Sequence, residues 1–150
     1  MFVGFTISKI ESARYVPLED LGKYSNINVN YDINLRNPAV ARMQGGPVLR
    51  IEYSVSINYF NPSIGHIRFE GFCDHAGSDP EHAKKEWDAG RADVSIQNEV
   101  ANNMMARIVP LAMLLSQNLS LPPAVPLPVI NFQKPAGPGP SGDKFDQYHA

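Results

Sequence analysis

Residues 73–82, CDHAGSDPEH, bring together Cys73, Asp74, His75, Asp79 and His82. A thiol, imidazoles and carboxylates in so short a span are the ligand types that zinc selects. Structural zinc takes four ligands at recurring spacings such as paired C-x-x-C, and catalytic zinc commonly uses a helical His pair; neither arrangement is present. The span reads instead as a strand end, a polar loop and a helix cap. Cys73, the one cysteine of the chain, carries no local signature of a nucleophile and is expected to be a small buried hydrophobe. No Gly-rich loop leads into a helix to cradle phosphate, because Gly45-Gly46-Pro47 is turn punctuation. The expectation is a protein that is not an enzyme and uses no metal or cofactor.

Chain-level numbers narrow the classes further. At 150 residues with 43% hydrophobic content, the chain suits one domain with one sizeable core. A net charge of -2 leaves no basic footprint for nucleic acid or an anionic membrane surface. A single cysteine cannot close an internal disulfide, and the opening MFVGFTISKIESARY has neither a basic n-region with an apolar h-region nor a cleavage-like site. The longest apolar run, Ile108 to Leu115, is far short of the ~20 residues a membrane-spanning helix needs. A soluble, cytoplasmic protein is expected.

What would position any functional surface is a sheet. From Ile27 to Leu35, INVNYDINL alternates, with Ile27, Val29, Tyr31, Ile33 and Leu35 on one face and Asn28, Asn30, Asp32 and Asn34 on the other. VLRIEYSVSINYF repeats the pattern, setting Leu49, Ile51, Tyr53, Val55, Ile57 and Tyr59 against Arg50, Glu52, Ser54, Ser56 and Asn58. NPAVARMQGGP between them is expected to be a connection ending in a tight turn. A third run, Ile64 to Asp74, follows the turn Asn61-Pro62-Ser63 and continues the dry face through Ile67, Phe69 and Cys73, although Phe72 breaks the pattern. The first strand, about Phe2 to Ile10, is less clean, because Val3, Phe5 and Ile7 share a face from which Phe2 and Ile10 are excluded. An antiparallel sheet with one apolar surface needs a cover.

The cover comes from the C-terminal half. Asp79 is placed as an N-cap, Pro80 as the first helical residue and Gly90 as a left-handed stop, giving a short helix in which Glu81 and Lys85 form an i,i+4 pair worth only about 0.3 kcal/mol. Ser95 is expected to cap a longer helix whose apolar stripe runs Ile96, Val100, Met104, Ile108, Leu111, Leu115 and Leu119, widened by Met105, Ala112 and Leu114. Pro110 inside it implies a kink, or a stop near Arg107 and a restart. LSLPPAVPLPVINF cannot be regular helix and is expected to run extended, anchored by Leu121, Val125, Leu127, Val129 and Phe132. From Lys134 to Ala150 the composition is that of a disordered Gly/Pro-rich tail, leaving residues 1–133 as the folded domain.

This arrangement resembles the SecB protein-export chaperones and their SecB-like relatives in archaea and in toxin–antitoxin systems. The order is the same: four antiparallel strands with a long crossover after the first, then a kinked helix, then an extended proline-bearing segment. VPLAMLLSQNLSLPPAVPLPVINF looks like that family's pattern of a proline two residues before an alanine, an apolar helix, a Leu/Phe-Pro break and a Pro-Val-Asn-Phe-like element. Those features fall on Pro110, Ala112, Leu121-Pro122 and Pro128 to Phe132, with one residue inserted before Asn131. FTISKIESARY is similar to the family's first strand. The resemblance implies an α+β fold and a molecular chaperone that binds unfolded or non-native polypeptides in apolar surface grooves. Bacterial members also carry a second long helix, whose place is taken here by the tail. They dock the SecA motor on an acidic outer sheet face, whereas here Asn28, Asn30, Asp32 and Asn34 mix with Arg50, Glu52, Arg68 and Glu70, so the resemblance leaves SecA docking open.

Carried onto this chain, the client groove of the family falls on Tyr15, Val16, Leu18, Leu21 and Tyr24 in the crossover and on Leu119, Leu121, Val125 and Leu127 in the proline-bearing segment. Taken one at a time, each is more often an ordinary lid contact, so the expectation concerns the set. The first strand is an edge and the long helix is apolar around more than half its girth, which predicts a homo-oligomer. The family pairs both surfaces into a tetramer, a dimer of dimers, and this places Met104, Met105, Ile108, Leu111 and Leu115 at an interface. A different class, the hot-dog and helix-grip domains that hold small ligands between a helix and a sheet, puts its main helix between strands; here both helices follow all four.

Overall fold

A computed structural model describes residues 1–24, 26–123 and 132 of the chain. Strands β1 (Phe2–Arg14), β2 (Asn28–Met43), β3 (Gly46–Phe60) and β4 (Gly65–His75) precede two helices, α1 (Pro80–Asp88) and α2 (Val94–Asn118). All pairings are antiparallel, and the strand order β1-β4-β3-β2 makes β1 and β2 the two edges. The chain crosses from one edge to the other through residues 15–27, which include a 3-10 turn at Leu18–Lys23. The fold is α+β, with helices on one face of one sheet, as the strand-then-helix order predicts.

β3 supplies the centre. Leu49, Ile51, Tyr53, Val55, Ile57 and Tyr59 are each at most 1% exposed. At about 25 cal/mol per Å² of apolar surface, this unbroken inner row is the largest single source of burial in the sheet. Ile67, Phe69 and Cys73 of β4 are fully buried beside it. Phe72, the residue that breaks the alternation, sits on the outer face, where the guanidinium of Arg50 lies 4.1 Å from its ring centre.

Both edge strands are longer than expected. β2 runs on to Met43 through a bulge between Arg36 and Ala39, with Asn37 at a left-handed φ of 53°. The residues read as a connection are therefore strand, tolerated because Pro38 needs no N–H donor on a free edge. In β1, register shifts at Phe2/Gly4 and Ile7/Lys9 insert one extra residue each, Val3 and Ser8. Phe2, Phe5, Ile7 and Ile10 consequently face His75, Cys73, Gly71 and Phe69, all on the helix side. The exclusion of Phe2 and Ile10 from that face is thus corrected by two bulges.

Gly71 makes the β1 edge possible. A Cβ there would stand 2.0 Å from the Thr6 carbonyl oxygen and 2.7 Å from the Tyr53 hydroxyl. Without one, Tyr53 reaches across β4, stacks on Phe5 at 5.6 Å and donates its hydroxyl hydrogen to the Thr6 carbonyl at 3.0 Å.

α1 begins as predicted: Asp79 accepts from the His82 N–H at 3.0 Å, Pro80 occupies the first turn, and Gly90 takes a φ of 77° beyond the end. The cap of α2 is Asp93, which accepts from the Ser95 N–H at 2.8 Å; Ser95, expected as the cap, lies inside the first turn. α2 continues unbroken through Pro110. Pro110 and Ala106 are both exposed, so water can serve the Ala106 carbonyl that the proline leaves without its helical donor. α2 packs on β4 and β1, and α1 on β2 and β3. Residues 134–150, expected as a tail, lie outside the described residues.

Candidate functional site

The crossover end of the sheet is tied together by hydrogen bonds from side chains and backbone. Arg14, the last residue of β1, donates from Nη1 to the Leu119 carbonyl at 2.6 Å and from Nε to the Val16 carbonyl at 2.9 Å, tying crossover, strand and helix end together. The Tyr15 N–H donates to the Ile64 carbonyl at 2.8 Å, and the Tyr15 hydroxyl is bonded to His66 Nδ1. The turn closes through the Asp20 N–H to the Pro17 carbonyl at 3.0 Å and a Lys23–Asp20 ion pair at 2.7 Å. Burial pushes the Tyr59 phenol up, so it stays a donor, and it bonds the Pro122 carbonyl at 2.6 Å.

Among the predicted groove residues, those described fall into three classes. Tyr15 and Leu18 are more than half exposed, at 53% and 55%. Val16, Leu21, Tyr24 and Leu119 are half-buried against the core. Leu121 is a core residue, 5% exposed, whose methyl groups fill the space over Gly65. Val125, Leu127 and Val129 lie outside the described residues, whereas the last predicted anchor, Phe132, donates its N–H to Asn98 Oδ1 at 2.6 Å.

Of the residues assigned to an oligomer interface, Met104, Met105 and Ile108 are 0–4% exposed within the single chain, covered by its own sheet. Leu111 and Leu115 are half-buried. The outer face of α2 carries Asn102, Ala106, Arg107, Pro110, Leu114 and Gln117, so the apolar girth is narrower than the sequence suggests. Free apolar surface lies elsewhere: Ile10 on the helix side of β1 is 45% exposed, and Leu114 is 54% exposed. The bulge at Ser8 has no signature in a single sequence, which is why plain alternation puts Ile10 on the outer face and not on the helix side.

The Cys73-Asp74-His75 cluster is dispersed to three destinations. Cys73 is in the core, where burial raises its thiol to about 12, out of reach of nucleophilic chemistry. Asp74 turns to the outer face and accepts both Arg50 Nε at 2.8 Å and Arg50 Nη2 at 3.0 Å. His75 Nε2 lies 2.8 Å from Glu99 Oε2, and that hydrogen bond, together with one from the Phe2 N–H at 3.0 Å, holds the Glu99 carboxyl below its usual range. A cavity of about 690 Å³ opens beside His75, between the sheet end, α1 and the start of α2.

No family model matches the sequence, and no curated protein matches it either. Among solved structures, the fold is similar to that of the Mycobacterium tuberculosis SecB-like chaperone Rv1957, determined in complex with a ChAD peptide from the HigA1 antitoxin. The match has 16% identity and a TM-score of 0.44, and covers 93% of this chain and 92% of the other.

Proposed function

We propose that this chain is a SecB-like chaperone of the cytoplasm, which holds non-native polypeptide on the apolar crossover end of its sheet. The observation that supports it most is the pairing of exposed Tyr15 and Leu18 on a hydrogen-bonded turn with half-buried Val16, Leu21, Tyr24 and Leu119 around them. An ordinary lid would turn its largest apolar side chains inward; this one presents two of them to solvent, as a surface that repacks around varied clients must. Binding the unfolded state delays client folding by mass action and involves no covalent step.

The helix-on-sheet ligand domain is the weaker reading, because such a domain needs space between sheet and helix. Here Ile51, Tyr53, Val55, Ile57 and Tyr59 fill that layer at 0–1% exposure, and the cavity beside His75 opens only at the end of the sheet, at Leu49.

Assembly belongs to the same proposal. One side of β1 pairs with β4 and the other is an open edge flanked by exposed Val3 and Ile10. Pairing of two such edges, followed by association through the Leu111, Leu114 and Leu115 side of α2, gives a dimer of dimers. Light scattering that finds a stable monomer at micromolar concentration rejects the assembly.

The test of holding is aggregation of an unfolded client diluted from denaturant. The Tyr15→Ser, Leu18→Ser double variant is the informative one, since Leu121→Asp would place a charge in the core and unfold the protein. Suppression near one-to-one by the parent and its loss in the folded double variant support the reading; equal suppression by both rejects the site, and none by the parent rejects the function.

A further inference from the structure

His66 is the histidine that touches the crossover surface. The Tyr15 hydroxyl is bonded to His66 Nδ1, and the two rings lie 5.5 Å apart at a tilt of 36°. The backbone fixes the same neighbourhood, since the Tyr15 N–H donates to the Ile64 carbonyl at 2.8 Å, just before His66 in β4. Tyr15 is 53% exposed and His66 is half-buried, so a chain that covers the Tyr15 ring takes water away from the imidazole as well.

On the outer face His66 stands between Ala13 of β1 and Asn58 of β3, neither of which carries charge. Further along the sheet Glu11 of β1 faces Arg68 of β4, and each has a partner of its own: Lys9 Nζ lies 2.8 Å from Glu11, and Arg68 Nη2 lies 2.7 Å from Glu70. The hydrogen bond from Lys9, ahead of its charge and the lesser pull of Arg68 and His66, holds the Glu11 carboxyl below its ordinary value of 4.5. Glu11 therefore keeps its charge throughout the range in which imidazoles titrate. In the crossover Asp20 and Lys23 pair with each other, Arg14 is directed at the Val16 and Leu119 carbonyls, and Glu19 is exposed. Among the described residues no carboxylate pairs with His66, in contrast to His75, which has Glu99 at 2.8 Å.

Either neutral tautomer of His66 can make the bond to Tyr15, because a phenol both donates and accepts; what protonation changes is the charge. A client laid over Tyr15 meets a neutral ring at high pH and an unpaired imidazolium at low pH, and taking an unpaired charge out of water is unfavourable. We propose that His66 is a positioning residue of the client surface that also senses protons, holding the Tyr15 ring in place and weakening the grip on apolar chain as its imidazole becomes charged. This role rests on the chaperone reading of the crossover. Affinity is complete above the range in which the free imidazole titrates and falls as pH drops through it. Because linkage is reciprocal, bound client must also make His66 harder to protonate.

The test is the affinity of the full chain for a permanently unfolded client, rhodamine-labelled, reduced and carboxamidomethylated α-lactalbumin, read by fluorescence anisotropy at about pH 7.5 and about pH 5.5. Both lie above the range in which Glu99, held below 4.5, titrates. The parent is expected to bind roughly fivefold more weakly at the lower pH. His66→Asn, which keeps a polar amide near the Nδ1 position and takes up no proton, is expected to bring that ratio to about one, whatever its affinity at the higher pH. His82→Gln, in α1 at the other end of the sheet, is expected to keep the parent's ratio. In the parent, the His66 Cε1–H resonance, identified by its absence from the His66→Asn spectrum, is expected to titrate at lower pH with client bound than without. Equal binding by the parent at the two pH values, a His66→Asn variant that keeps the parent's ratio, or a His66 titration that client leaves unmoved overturns the proposal and leaves the crossover as a client surface. If His66→Asn binds at neither pH, the His66 resonance of the parent decides alone. A parent that fails to bind at about pH 7.5 rejects the chaperone reading itself, and this role with it.

Discussion

β3 and β1 are both rich in apolar residues, yet they use them differently. Every second residue of β3 from Leu49 to Tyr59 is buried to 1% exposure or less; its ladder with β4 is regular, and the bulge in its ladder with β2, between Arg36 and Ala39, lies in the edge strand. β1 needs two extra residues to bring Phe2, Phe5, Ile7 and Ile10 to the same face, and leaves Ile10 45% exposed there. A central strand is constrained by two neighbours and a cover, so a regular period is the arrangement that satisfies all three. An edge strand has one neighbour; bulges re-aim its side chains at the cost of a broken ladder and leave surface free for other chains. The closest packing of the sheet lies at the centre, and exposed apolar side chains, Val3, Ile10, Tyr15 and Leu18, lie at the edge and the crossover that leaves it.

The largest effect expected from breaking this division is at the centre. Phe69→Ala removes a fully buried ring between β3 and β1 and is expected to cost about 3–5 kcal/mol in urea unfolding. A cost under about 1 kcal/mol would show that the layer collapses around the missing ring and that the core is less closely packed than described.

Next comes the joint between centre and edge. Gly71→Ala would put a methyl group 2.0 Å from the Thr6 carbonyl oxygen and 2.7 Å from the Tyr53 hydroxyl. β1 must move off β4, losing the Phe5–Tyr53 stack, and overpacking of this kind costs up to about 3 kcal/mol. Hydrogen exchange should then rise along Phe2–Arg14 and stay low in β3. Uniform loosening would mean that edge and centre unfold as one unit.

This joint also marks where sequence reading stops. Alternation is visible in β3, in the first half of β2 and in β4 because each residue there reports its own face. Bulges at Val3, Ser8 and Asn37 change the face of everything beyond them and depend on what the neighbouring strand demands, so the helix-side placement of Ile10 and the second half of β2 were not legible. Capping of α1 was legible because Asp79, Pro80 and Gly90 act locally. The position of Ser95 was misjudged because Asp93, two residues earlier, is the stronger anionic partner for the helix start. The crossover residues are named through the resemblance to the SecB-like family, whereas burial of Leu121 follows from Gly65, a contact distant in sequence. The cavity beside His75 needs the α1–α2 connection folded against the sheet end, which no spacing announces.

A smaller effect ties the start of β1 to α2. Glu99 receives the His75 hydrogen bond first and the Phe2 N–H second, and both hold it below its ordinary value of 4.5. A carboxylate whose folded value is depressed contributes stability that is complete above the ordinary value and is lost as pH falls through the depressed one. The parent should therefore lose stability from about pH 4.5 downward more steeply than Glu99→Gln, whose amide does not titrate in that window. Superimposable acid limbs would mean that the edge is held without this latch.

The smallest effect on stability is expected where the effect on function is largest. Leu18 is 55% exposed on a turn whose backbone bonds do not involve its side chain, so Leu18→Ser should change unfolding free energy by no more than about 0.5 kcal/mol. The same substitution removes a branched apolar group from the proposed client surface, and on that proposal holding of an unfolded client should fall by several fold, with Tyr15→Ser adding to the loss. Thermal unfolding and client aggregation measured on the same samples separate the two quantities. If Leu18→Ser lowers both together, the crossover is a lid that the core needs; if it lowers holding alone, exposed apolar surface at the edge is there for binding, at little cost to a fold already secured by β3.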